Sequence, residues 1–256
     1  MGPHGDGDIE KFESESRRRP ISTVVFVIAM QAEAQPLVNK FGLSETTDSP
    51  LGKGLPWVLY HGLHKDLRIY VVCPGKDAAS GMFLLLPLFI TLIDINNNSA
   101  SVNGAGIDSV GTVPASLITF ASIQALQPDI LINAGTCGAF KVKGANIGDV
   151  FLVSDVVFHD RRIPIPMFDL YGVGLRQAFS TPNLLKELNL KGAAVAYVAE
   201  LLKVPVIFLK AVTDLIDGDK PTAEEFLQNL AVVTSALEET ATKVINFIHG
   251  KTLSDL

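Results

Sequence analysis

Pro128-Asp129-Ile130-Leu131-Ile132-Asn133-Ala134-Gly135-Thr136-Cys137-Gly138-Ala139-Phe140 decides how the chain is read. A short apolar run bounded by a turn signal is the pattern of a buried strand, central and parallel. That strand is expected to deliver its end into a small-residue turn, Gly135-Thr136-Cys137-Gly138, where backbone amides and a hydroxyl can face a ligand. In open α/β sheets the ligand crevice lies at such carboxyl ends of strands. An ordinary strand-to-loop turn has the same composition, so the rest of the chain has to decide between the two.

The chain has 256 residues, 48% of them hydrophobic and 19% charged, enough for one α/β domain with a sizeable core. The charged fraction is below the usual quarter, which implies extensive burial or pairing with another subunit. A net charge of −6 and a pI of 5.4 leave no basic footprint for nucleic acid. Cys73 and Cys137 lie far apart and make no metal or redox spacing, which suits two reduced thiols in a cytoplasmic protein. Residues 1–20 hold glycines, acids and the Arg17-Arg18-Arg19 triplet, and are expected to be a disordered tail without a secretory signal. A single domain is expected over 21–250, with a second tail at 251–256.

Ser22 to Met30 is rich in β-branched residues and reads as the first buried strand. A helix should begin at Gln31, placing Glu33 in its first turn. A carboxylate there can simply favour the helix dipole, or it can be catalytic, because it sits just past a strand's carboxyl end. Trp57–Tyr60 and Leu67–Cys73 read as strands around a turn that carries His61 and His64. With no third ligand, those histidines are loop residues rather than a metal site. Met82 to Ile93 is almost wholly apolar but too short for a membrane helix, which needs roughly 20 residues. Gly104-Ala105-Gly106 falls short of a dinucleotide fingerprint because the next glycine, Gly111, is two positions too far along.

Ile107 to Leu126 carries Val110, Val113, Leu117, Phe120, Ile123 and Leu126 at helical spacing, a face expected to pack beside the central strand. Asp149 to Phe158 reads as a long strand ending in His159-Asp160-Arg161-Arg162. That cluster is either a dyad or a strand-end group of charges. Residues 163–172 form a proline-stiffened loop suited to covering a pocket or a subunit contact. Helices are expected from Thr181 and over Gly192–Leu202. Pro205 to Thr213 is the last buried strand and ends in Asp214, Asp217 and Asp219. Thr222 and Glu225 have capping-box spacing at the head of a long helix running to Ile248. Alternating strands and helices make the class α/β, with a mixed, mostly parallel central sheet flanked by helices. Glu33, Thr136 and Asp214 then stand at three strand ends, and two carboxylates can serve as acid and base without a metal or cofactor.

Three segments in this order, Val25 to Glu33, Ile132 to Gly138 and Ala211 to Asp214, resemble the methylthioadenosine nucleosidases of the nucleoside phosphorylase superfamily, in wording closest to the plant branch. The resemblance covers about residues 20–80 and 106–256. It implies a nucleoside phosphorylase-like fold that hydrolyses the N-ribosidic bond of methylthioadenosine, possibly also of S-adenosylhomocysteine, to adenine and a 5-thioribose in methionine salvage. It also implies Asp214 as the acid that protonates the leaving adenine and Glu33 as the base that activates water on the opposite face of the ribose. Met30, Thr136, Cys137, Gly138, Thr213 and Ile163 match substrate-binding positions, with no metal and no cofactor. The expected partners are a small adenine nucleoside and a second copy of the chain in a homodimer, with no nucleic acid and no membrane. The 163–172 loop is the candidate for closing the partner's pocket.

Two departures from that family change the expectation. Residues 81–105 have no counterpart, and their composition resembles translated non-coding sequence, as expected of an unusual splice form or gene model. The chain also passes from Leu190-Lys191 straight to Gly192, where the family has a strand, a purine-contacting loop and a Met-Glu pair holding the ribose hydroxyls. Loss of buried, charged hydrogen bonds to the sugar costs roughly 3 kcal/mol or more, so weak or absent turnover is expected. The alternatives are a non-catalytic subunit or nucleoside binder, and a phosphorolytic relative whose phosphate site would rest on Lys76.

Overall fold

The computed structural model of the chain describes residues 18–77, 107–156, 176–188 and 197–256. β1 (Thr23–Ile28) leads into α1 (Gln31–Phe41), followed by β2 (Ser44–Glu45), β3 (Val58–His64) and β4 (Leu67–Cys73). The two-residue strands β5 (Lys76–Asp77) and β6 (Ile107–Asp108) pair with each other ahead of α2 (Thr112–Leu126). Then come β7 (Ile130–Ala139), β8 (Val150–Leu152), β9 (Asp155–Val156) and β10 (Arg176–Gln177). The short helices α3 (Pro182–Leu188) and α4 (Tyr197–Leu201), the strand β11 (Val206–Leu215) and the long helix α5 (Thr222–Ile248) complete the order.

Seven strands form one sheet in the order β2-β3-β4-β1-β7-β11-β8. The inner strands β4, β1, β7 and β11 are parallel, whereas β2, β3 and β8 join antiparallel, so the sheet is mixed and mostly parallel. Strand side chains alternate between the two faces. On one face Ile28, Ile130, Ile132 and Leu209 pack with Leu37 and Phe41 of α1 and with Val233, Leu237, Ala241, Val244 and Ile248 of α5. On the other, Val25, Val27, Leu131 and Phe208 meet Ile118 and Ile123 of α2 and Ala199 of α4. One apolar stripe of the last helix therefore covers the sheet.

Several expectations need correction. Gly135-Thr136-Cys137-Gly138 is not a turn, because β7 runs on through Ala139. β11 pairs beside it from Val206↔Leu131 to Leu215↔Ala139, which keeps the ladder satisfied past the small residues. His61 and His64 lie in β3 rather than in the turn, which is only Lys65-Asp66 with Lys65 at φ 57°. The face of α2 expected inside is largely outside: Val110, Val113, Leu117 and Phe120 are all more than half exposed, while Ile118 and Ser122 are buried. The long strand from Asp149 is split into β8 and β9.

Both presumed tails are partly tied down. Arg19 pairs with Asp129, and Pro20 bridges to Thr252. Leu253 and Leu256 are buried, and the Leu256 backbone oxygen accepts the Asn183 and Leu184 amides at the head of α3. Apolar side chains and unfilled helix amides give residues 251–256 a reason to dock. Outside the described residues lie 1–17, the 81–105 insertion, the His159-Asp160-Arg161-Arg162 cluster, the 163–172 loop with Ile163, and the 191/192 junction.

Leu237 is fully buried where α5 meets the sheet. Leu237→Ala is expected to lower unfolding stability by about 2–5 kcal/mol, read from denaturant midpoints. A change within error would show that α5 does not hold the core.

Candidate active site

The site is built where β1 stops and β7 continues. β1 pairs with β7 as far as Ile28↔Ala134, and the chain then turns through Met30 into α1. Glu33 in the first turn of α1 therefore reaches sideways over β7 rather than out to water, and is 3% exposed. Its Oε1 accepts the Thr136 amide at 2.7 Å and the Thr136 hydroxyl at 2.6 Å. Its Oε2 accepts the Met30 amide at 3.2 Å. Three donors on one buried carboxylate offset much of its desolvation, and they aim it.

Gly135 makes this possible. A Cβ there would lie 3.3 Å from Glu33 Oε1 and 3.4 Å from Lys210 Nζ, so both charged groups crowd the space its missing side chain leaves. Lys210 stands opposite Gly135 on β11. Burial draws its proton affinity below the ordinary lysine value, while Glu33 and Cys137 act to raise it. Lys210 was not singled out from the sequence, although a lone lysine inside the apolar run Val206–Val212 was the signal that could have found it.

The second cluster lies further along the same strand. Asp214 pairs across from Gly138 after a register shift between Val212 and Asp214. Its Oδ2 is 2.8 Å from where a Gly138 Cβ would sit. Its Oδ1 accepts the Thr213 hydroxyl at 2.8 Å, and that hydroxyl is also 3.3 Å from the Cys137 carbonyl oxygen. Gly135 and Gly138 are three residues apart on one strand, about 10 Å at ~3.3 Å per residue. The two carboxylates are thus held at separate points along β7.

The structure brings Met30, Glu33 and Thr136 together, and separately Cys137, Gly138, Thr213 and Asp214, with β7 common to both groups. Ile163 lies outside the described residues. Burial pushes the Cys137 thiol up to about 11 and the Cys73 thiol to about 12, so neither is a thiolate nucleophile near neutrality. His61 Nδ1 is spent on the Thr46 hydroxyl at 2.9 Å and His64 packs edge-on against Phe41. No group of side chains that could hold a metal occurs among the described residues.

The loops leaving the two site strands are stapled together. The Ile216 amide donates to the Ala139 carbonyl at 2.8 Å. Asp217 accepts the Lys141 amide at 2.6 Å and the Val142 amide at 2.9 Å, capping the short 3-10 turn Lys141–Lys143. The Val142 amide, followed by that of Lys141, holds the Asp217 carboxyl below its ordinary value of 3.8. A depressed carboxyl contributes stability that is whole above the unfolded value and lost as pH falls through the folded one. Asp217→Asn is therefore expected to be less stable than the parent at neutral pH, with the gap closing below pH 3.8, in thermal melts across pH. A gap that persisted unchanged into acid would contradict the staple.

The phosphorylase superfamily matches residues 23–190. The chain is 70% identical to the 5'-methylthioadenosine nucleosidase of Arabidopsis thaliana over a 292-position alignment that covers all of both chains. It is 49% identical over 279 positions to that plant's 5'-methylthioadenosine/S-adenosylhomocysteine nucleosidase, covering 97% of this chain and 100% of the other. The solved apo structure of the Arabidopsis 5'-methylthioadenosine nucleosidase superimposes with a TM-score of 0.80 at 71% identity, covering 93% of this chain and 100% of that one.

Proposed function

Because the chain belongs to the phosphorylase superfamily and, within it, to the methylthioadenosine nucleosidases, we propose that it hydrolyses the N-ribosidic bond of 5'-methylthioadenosine to adenine and a thioribose. S-adenosylhomocysteine, which the second Arabidopsis relative has in its name, is a further candidate substrate. The observation that carries the reading is the pair of buried carboxylates, Glu33 and Asp214, 3% and 9% exposed, set at separate points along β7. Asp214, with Oδ1 engaged by Thr213, has Oδ2 to protonate a ring nitrogen of the departing adenine. Glu33 takes a proton from water on the far face of the ribose, with Lys210 Nζ beside it at Gly135. Separated acid and base carboxylates are what an inverting displacement through an oxocarbenium-like state needs. No cofactor enters this chemistry.

Hydrolysis is favoured over phosphorolysis because a fixed carboxylate at the nucleophile's position repels phosphate but accepts a proton from water. Lys76, on which a phosphate site would rest, stands exposed on β5, whereas the lysine beside Glu33 is Lys210. The reaction should nevertheless be slow. The 292-position alignment is longer than the 256 residues of this chain, so the relative has residues that this chain lacks. A missing ribose anchor at the 191/192 junction accounts for a loss of roughly 3 kcal/mol, about a hundredfold in turnover. A non-catalytic subunit is the alternative if that loss is complete.

Two copies are proposed to pair through α2, whose Val113, Leu117 and Phe120 form an exposed apolar row. The free cysteines fit a cytoplasmic protein, and no described helix is long and apolar enough to cross a membrane.

Purified protein is expected to release adenine from methylthioadenosine without phosphate, about a hundredfold more slowly than the 70%-identical relative. Asp214→Asn and Glu33→Gln should each lower that by a further ~100-fold or more. Release equal in parent and Asp214→Asn would refute the reading. Gly138→Ala puts a Cβ 2.8 Å from Asp214 Oδ2 and should cut turnover about tenfold or more at unchanged fold. Full activity in that variant would free Asp214 from its assigned place. For the subunit contact, light scattering should show a dimer that Leu117→Lys converts to monomer; a parent that is already monomeric contradicts it.

A further inference from the structure

The strand that carries Asp214 is irregular at that residue, and the irregularity has two dedicated partners. Between Val212 and Asp214 the register of β11 against β7 shifts, which is how a bulge re-aims a side chain at the cost of local ladder hydrogen bonds. Backbone groups freed in this way must find partners elsewhere when they are buried. They find them on α5. Glu225 Oε2 accepts the Leu215 amide at 2.9 Å, and Asn229 Nδ2 donates to the Thr213 carbonyl oxygen at 2.9 Å. The two side chains are four residues apart on one helix, hence on one face, and they grip the residues on either side of Asp214.

Glu225 is not used as its spacing from Thr222 suggests. The helix begins at Thr222 with Pro221 as its cap residue and no side-chain cap, and Glu225 is 7% exposed, turned towards the strand instead of towards its own helix end. A buried carboxylate spent on a single backbone amide of a neighbouring strand is a costly device for mere anchorage. Its location beside the proposed acid gives it a purpose.

We propose that Glu225 and Asn229 are positioning residues for Asp214, holding residues 213 and 215 so that the Asp214 carboxyl stays over Gly138 with Oδ2 towards the leaving base. This rests on the reading of Asp214 as the general acid. A displacement of about 1 Å at a proton donor can cost on the order of a hundredfold in rate without weakening ground-state binding. The effect therefore falls on kcat rather than on KM.

The full chain with Glu225→Ala, Glu225→Gln and Asn229→Asp separates the possibilities. Glutamine keeps an oxygen that can accept the Leu215 amide, while alanine does not, and aspartate at 229 loses the donor. Glu225→Ala and Asn229→Asp should lower kcat for methylthioadenosine about 10–100-fold with KM within about twofold, and Glu225→Gln should stay near the parent. A kcat unchanged in Glu225→Ala, or a loss in Glu225→Gln as large as in Glu225→Ala, overturns the proposal. Amide hydrogen exchange at Leu215 reads the same contact without turnover. It should accelerate about tenfold or more in Glu225→Ala but not in Glu225→Gln, with Ile207 to Leu209 unchanged as the control for the fold. If the parent releases no more adenine than Asp214→Asn, the acid assignment has failed, and the exchange result still decides whether Glu225 holds the strand. Unchanged exchange at Leu215 in Glu225→Ala overturns that hold.

Discussion

The parallel register of β7 between β1 and β11 is the constraint on which everything else depends. Because Ile28 pairs with Ala134, the chain leaves β1 level with Gly135, and the first turn of α1 lands Glu33 on Thr136. Because Asp214 comes opposite Gly138, the second carboxylate lands further along the same strand. A slip of one residue in either pairing would reverse which face each side chain takes. Glycines at 135 and 138 then act by omission, since each leaves room for a charged group where a side chain would stand.

Charge is buried here at the expense of stability. Glu33 takes three donors and has Lys210 nearby, yet burial still pulls that lysine's proton affinity down. Apolar residues of similar volume would often make such a core as stable or more so. Burial keeps the thiols alongside protonated at neutral pH. The α5 helix serves both layers of this design: its apolar stripe covers one face of the sheet, and Glu225 and Asn229 at its head secure the strand end that bears Asp214.

The sheet was legible because buried parallel strands leave unbroken apolar runs, and those of β1, β7 and β11 are plain in the chain. The small residues 135–138 were misread as a turn because composition does not reveal that a neighbouring strand pairs alongside them. Spacing alone placed Glu33 and Asp214 at strand ends, and the family resemblance supplied their roles. Lys210 stayed hidden because a single charge in an apolar strand declares itself only when the facing glycine and carboxylate are located. The α2 face misled for a physical reason: a helix apolar on all sides carries no signal of which side meets the core. Glu225 had the spacing of a cap but found a better donor in the Leu215 amide.

In the proposed reaction, water activated beside Glu33 displaces adenine from the sugar. The direct test is turnover of methylthioadenosine in oxygen-18 water with phosphate present, followed by mass spectrometry of the sugar product. Hydrolysis predicts one heavy oxygen at the anomeric carbon and no sugar phosphate. A sugar phosphate without the label, or a Glu33→Gln variant that incorporates it as fast as the parent, would contradict the assignment.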